Sequence, residues 1–162
     1  MLRAVPSATR RPTIEERSKI HVGLDVHKDS ITVAAADHGR EKARLIGKVA
    51  HDLPRLLKVL AKLGTPAELH LDYEAGTTGY GLQRALTARG YSCEVIAPSK
   101  MPRAAVQRVK TDARDSVGLA ECSRAGQLSR VWIPDPADEA IRDLARARED
   151  AVNSRRQVRR KR

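Results

Sequence analysis

Phenylalanine is missing from this 162-residue chain, and its aromatic side chains other than histidine number four: Tyr73, Tyr80, Tyr91 and Trp132. A core built from such a sequence is aliphatic, and platforms on which single-stranded bases could stack are scarce. Cysteine is almost as rare. Cys93 and Cys122 lie far apart and belong to no C-x-x-C or Cys/His cluster, so neither a zinc site nor a disulfide framework is indicated. They read as small core fillers in a reducing compartment. No apolar run approaches the roughly 18 residues of a membrane span, and residues 1–19 have no hydrophobic stretch of the kind a secretory signal needs. These absences predict a cytoplasmic location and no membrane partner.

Acid is missing from one place in particular. Residues 151–162 (AVNSRRQVRRKR) hold six basic residues and no carboxylate, and taking those six from the formal charge of +11 leaves +5 for the rest. A basic end of this kind predicts a polyanionic partner, nucleic acid being the usual one. A solvated helix face or frayed tail would carry the same charge.

The periodicity that is present predicts an α/β fold. Residues 20–26 alternate strictly and read as a strand, followed by strands over 31–36 and 43–49 with polar turns between them, hence an antiparallel meander. Leu53, Leu56, Leu57, Leu60 and Leu63 recur at helical spacing behind Asp52 as N-cap, with Gly64 as the stop. Residues 68–73 form a short strand, 82–89 a helix, 92–97 a fifth strand, 112–126 a helix, and Ile141, Leu144, Ala145, Arg148 and Val152 mark a long last helix. Three meander strands followed by helix–strand–helix–strand–helix match a ribonuclease H-like mixed sheet flanked by helices, with a projecting C-terminal helix. The expected organisation is a flexible leader over 1–19, a metal-binding domain over 20–134 and the start of a long connecting helix over 135–162.

Four carboxylates fall where chemistry can use them. Asp25 closes the first strand on the face of His21 and Gly23; Glu74 follows another strand, on the face of His70 and Asp72. Carboxylates at the carboxyl ends of neighbouring parallel strands meet outside the sheet, where open α/β folds place ligands. Asp112 and Asp115, three apart, share a helix face. Each acid alone fits a turn former or a favourable charge at a helix N-terminus. Together they repel unless neutralised, and oxygen-only ligation points to Mg²⁺ or Mn²⁺. Two such ions roughly 3.5–4 Å apart can activate a nucleophile and stabilise a leaving oxygen in phosphodiester displacement. Lys100, Arg103, Arg108, Lys110 and Arg114 lead into the acidic pair and, with Arg155, Arg156, Arg159 and Arg160 of the tail, are the candidate nucleic-acid contacts. Gly76-x-x-Gly79-x-Gly81 is no dinucleotide fingerprint and lacks the Gly-Lys-Ser/Thr of a P-loop, so it reads as a tight turn near the metal site or DNA.

Val22-Gly23-Leu24-Asp25-Val26-His27-Lys28-Asp29-Ser30, Tyr73-Glu74-Ala75-Gly76 with Thr78-Gly79-Tyr80-Gly81-Leu82, and Val109-Lys110-Thr111-Asp112-Ala113-Arg114-Asp115 together resemble the DEDD transposases of bacterial insertion sequences, whose N-terminal domain is RuvC-like. Val95-Ile96-Ala97-Pro98-Ser99 and Val131-Trp132-Ile133-Pro134-Asp135-Pro136, with the helix after it, fit the same pattern, so the resemblance covers about residues 20–160. It implies that Asp25, Glu74, Asp112 and Asp115 are the four metal-binding acids of a magnesium-dependent recombinase acting on the DNA of element ends and target. It further implies an element-encoded RNA partner, homo-oligomerisation of the full-length protein, and a second domain bearing a serine that attacks DNA. On that comparison the chain ends inside the connecting helix, before the serine domain. Two other classes remain open from the residues: a catalytically silent nucleic-acid-binding remnant, and an actin-like kinase or ATPase, which the late Asp112/Asp115 pair and the short chain disfavour.

Overall fold

The computed structural model describes residues 19–76, 79–97 and 111–160, the side chains of 157–160 excepted. Five strands, β1 (Ile20–Val26), β2 (Ser30–Ala36), β3 (Arg44–Ala50), β4 (Leu69–Glu74) and β5 (Ser92–Ile96), form one sheet in the order β3-β2-β1-β4-β5. β1, β2 and β3 are an antiparallel meander, and β4 and β5 continue the sheet parallel to β1. Helices α1 (Leu53–Leu60), α2 (Gly81–Thr87) and α3 (Asp112–Arg124) flank it, and α4 (Pro136–Arg160) follows. This is the mixed α/β sheet that the sequence predicts, consistent with the ribonuclease H-like fold.

The side-chain period of two explains how β1 serves two faces. Val22 and Leu24 point to one side with Leu71 and Tyr73 of β4, and all four are fully buried. His21, Gly23 and Asp25 point to the other, beside Ala36, Ala34 and Thr32 of β2. Glycine and alanine make that second face flat at its centre, and α3 lies directly on it. A Cβ built at Gly23 would stand 2.2 Å from the Ser116 carbonyl oxygen and 2.7 Å from the Ala120 amide nitrogen. Leu119 and Ala120 of α3 are buried there. Thr111 caps the helix, its side chain accepting from the Arg114 amide, and Asp112 and Asp115 occupy the first turn, where the helix dipole favours negative charge.

One local expectation holds in position, and one is corrected. Asp52 stands at the N-cap of α1, but its carboxylate accepts no capping hydrogen bond and instead lies 3.5 Å from Arg55 Nε. The helix ends at Leu60, and the residues up to Gly64 form turns, because Lys62 and Leu63 bond to carbonyls three back.

The chain divides into two compact units, one ending at Val131 and the other beginning at Trp132. The second is dominated by α4, on which Ile141 and Leu144 are 67% and 73% exposed. Too few apolar residues line α4 to bury a face of it within this unit. No described helix is long and apolar enough to cross a membrane.

Candidate metal centre

Asp25 is the next-to-last residue of β1, where the sheet face emerges from beneath α3, and the N-terminus of α3 brings Asp112 to it. His27 Nε2 lies 2.9 Å from Asp25 Oδ2 and 3.5 Å from Asp112 Oδ1. Lys48 Nζ donates to Asp112 Oδ2 at 2.7 Å. One ligand atom from each of Asp25, His27 and Asp112 falls within 4.8 Å of the others. The turn carrying His27 is fastened from β3's end, where His51 Nδ1 lies 2.7 Å from the His27 carbonyl.

The two carboxylates are shifted in opposite directions. Burial pushes the Asp25 carboxyl above its ordinary range; His27 opposes this, while Asp112 and Asp115 add to it. Asp112 is held below the usual carboxylate range, chiefly by the hydrogen bond from Lys48. Asp115 is thus within electrostatic reach of Asp25, although it is outside the close grouping. Glu74 ends β4, one register step beyond the Leu24–Tyr73 pair and so beside Asp25's position. It too lies outside the group of ligand atoms around Asp112.

The donor set fits a hard divalent cation through its oxygens: carboxylates from two elements, with a third carboxylate nearby. A further sign is Thr32, the cross-strand neighbour of Asp25. Its hydroxyl is buried and has no hydrogen-bond partner among the described residues. Such an orphan costs about 1–3 kcal/mol, and it stands across the strand pair from Asp25.

Deeper on the same face lies a second polar group that the sequence reading passed over. Ser123 Oγ of α3 donates to Asp72 Oδ2 at 2.5 Å and lies 2.7 Å from His21 Nδ1. His70 Nε2 stands 3.4 Å from the same Asp72 oxygen, and His70 Nδ1 is 2.9 Å from Ser92 Oγ. His21, His70, Asp72 and Ser123 are all buried. Three of them could group around a metal by distance, but their hydrogen bonds already close on one another. They fasten α3 to β1, β4 and β5, which fixes where Asp112 stands.

Sequence reasoning missed His27 and Lys48 as members of the site. His27 lies within the first family-like motif, two residues from Asp25, whereas Lys48 carried no signal. Of the basic candidates, Arg114, Arg155 and Arg156 are exposed. Lys100, Arg103, Arg108 and Lys110 lie outside the described residues, as do the side chains of Arg159 and Arg160.

A family model of DEDD transposases of the IS110 type, described as a transposase, matches residues 22–161. The chain is 42% identical over 135 residues to y4qE of Sinorhizobium fredii (strain NBRC 101917 / NGR234), a protein named as a transposase, covering 82% of this chain and 35% of the relative. It is 36% identical over 135 residues to the transposase for insertion sequence element IS1533 of Leptospira borgpetersenii, covering 82% of this chain and 39% of that relative. The chain therefore spans little more than a third of the length of these relatives. The motifs, the sheet order and the match across nearly all of its length agree: the chain belongs to the DEDD transposase family of insertion sequences.

Proposed function

We propose that this chain is the metal-dependent, DNA-processing part of an insertion-sequence transposase, with Asp25, Glu74, Asp112 and Asp115 holding divalent metal, Mg²⁺ or Mn²⁺. The observation that carries the reading is the meeting of Asp25 and Asp112, from opposite ends of the domain, within one group of ligand atoms. Like charges gathered in a half-buried place repel one another, and a divalent cation would offset that repulsion. A divalent cation bound there supplies Lewis-acid polarisation of a phosphodiester. The chain's own residues hold the carboxylates in position: His27 between Asp25 and Asp112, Lys48 on Asp112, and Thr111 at the cap of α3. The reading takes residues 20–134 as the nuclease-like domain and 135–162 as the beginning of a connecting helix. The DNA of element ends and target, an element-encoded RNA and assembly with further copies are the partners proposed for the complete protein, at work in the cytoplasm.

Metal binding tests this directly. Mn²⁺ at a hundred times its Kd should raise the unfolding free energy of the wild-type chain by about 2.7 kcal/mol. Asp25→Asn should abolish that gain, and should leave the metal-free fold as stable as the wild type or more so, because it removes a buried charge crowded by Asp112 and Asp115. A full Mn²⁺ response in D25N would remove Asp25 from the site.

The basic tail supplies the second expected result. If Arg155 and Arg156, both exposed on α4, contact DNA phosphates, affinity for duplex DNA falls steeply with salt. Replacing both by alanine should then flatten the log–log salt slope by about 2. An unchanged slope, measured by fluorescence anisotropy, would place the contacts elsewhere.

A further inference from the structure

Lys48 reaches the acidic group from two strands away, and the backbone is shaped to bring it there. The β2–β3 register shifts between Val33 and Ala34, with Gly47 at a φ of 152° opposite Val33. Past this irregularity Lys48 stands opposite Thr32, and Thr32 stands opposite Asp25. Cross-strand partners share a face, so Lys48, Thr32 and Asp25 form a row across three strands on the side where α3 presents Asp112. Bulges of this kind re-aim a side chain near functional sites.

One carboxylate oxygen of Asp112 is thereby hydrogen-bonded, and the other faces His27. Lys48 Nζ donates to Oδ2 at 2.7 Å, and His27 Nε2 lies 3.5 Å from Oδ1. A divalent ion bound by Asp112 needs one of those oxygens, and an ammonium held beside it repels the ion. Taking Asp25 and Asp112 as metal ligands, we infer that Lys48 is the internal counter-ion of the metal site. It is a positioning residue that holds Asp112 in place at the acidic group before metal arrives and competes with the ion for its carboxylate. Lys48 and Asp112 are both about half exposed, at 55% and 41%. The pair is therefore weak enough for metal to displace, and its effect is to set the affinity of the site rather than to block it.

The test is Mn²⁺ binding to the 162-residue chain, followed by the electron paramagnetic resonance signal of unbound Mn²⁺ at constant ionic strength. Lys48→Met should tighten Mn²⁺ binding about two- to fivefold, the range expected for losing one exposed ion pair. Lys48→Arg, which keeps the charge and a donor, should stay near the wild type. Arg44→Met removes the same charge from the same strand, but from a side chain paired with Asp37 at 3.1 Å, and should leave Mn²⁺ affinity unchanged. Equal tightening by K48M and R44M would reduce the effect to net charge and overturn the inference. So would unchanged or weaker binding in K48M. If Mn²⁺ binding is lost in D25N yet unaltered in K48M, the metal site stands and the role of Lys48 falls. If neither the wild type nor K48M binds Mn²⁺, the metal reading itself falls, and this inference with it.

Discussion

Alanine at position 23 should lower the unfolding free energy by about 3 kcal/mol, the upper end of the usual cost of overpacking a core. For a chain of this length that corresponds to a fall in Tm on the order of 6–12 °C. A single methyl group has this effect because of what it meets. The new Cβ would stand 2.2 Å from the Ser116 carbonyl oxygen, 2.7 Å from the Ala120 amide nitrogen and 3.1 Å from Leu119 Cβ. The two nearest atoms are backbone, so no change of rotamer relieves the clash; α3 must lift from the sheet or slide along it. Either movement carries Asp112 and Asp115, in the first turn of that helix, away from Asp25. The Mn²⁺-induced stabilisation should therefore disappear together with the lost stability. Gly118 provides the control. It lies on the same helix, and a Cβ there has nothing within 4 Å. Gly118→Ala should accordingly stabilise the chain by up to about 1 kcal/mol through helix propensity. Urea denaturation of both variants decides the matter: wild-type stability in G23A would mean that α3 is not seated on the glycine.

Gly23 also marks the boundary of what could be read from the sequence. Alternation over residues 20–26 correctly separates Val22 and Leu24 from His21, Gly23 and Asp25, because a strand's period is a local property. What covers each face is not local. The second face contains histidine, glycine and aspartate and looks like a solvated edge, yet α3 closes most of it and only its Asp25 end is left open. The same holds for His70, Asp72 and Glu74. They share a face, as their spacing predicts, but His70 and Asp72 are buried and only Glu74 reaches partial exposure. Asp25 and Asp112 were legible as partners through motifs whose order matches a family. Lys48 was not, since its place depends on a register shift opposite Val33 and Ala34 that no residue pattern announces. The N-cap of α1 shows the converse. Asp52 sits where the sequence predicts, but the side-chain bond expected there is replaced by an ion pair with Arg55.

Burying His70 and Asp72 together gives the fold a pH dependence whose sign can be derived. Burial lowers the His70 pKa, but the hydrogen bond and charge of Asp72, with Glu94 contributing and Arg130 opposing, raise it overall above its ordinary 6.5. A histidine whose folded pKa exceeds its unfolded value stabilises the fold fully below about 6.5, and that contribution is lost as pH rises through the folded pKa. The wild-type chain should thus become less stable as pH is raised from about 6 toward 8, and this part of its pH dependence should trace to one pair. Asp72→Asn tests it. The carboxylate is 1% exposed and accepts from Ser123 at 2.5 Å. Asparagine can still accept from Ser123, but it takes from a protonated His70 its main counter-charge and leaves only the smaller contribution of Glu94. Loss of one partner from a buried pair costs about 3–5 kcal/mol, and the retained acceptor places D72N near the lower figure at pH 6. With Asp72 neutralised, burial dominates and His70 prefers the uncharged form. Stability should then rise rather than fall as pH increases through 6.5. Urea denaturation of both proteins at pH 5.5, 6.5 and 7.5 would show the two slopes crossing in sign. Parallel slopes would mean that His70 and Asp72 do not share a proton-linked charge, and that α3 is fastened to the sheet by neutral hydrogen bonds alone.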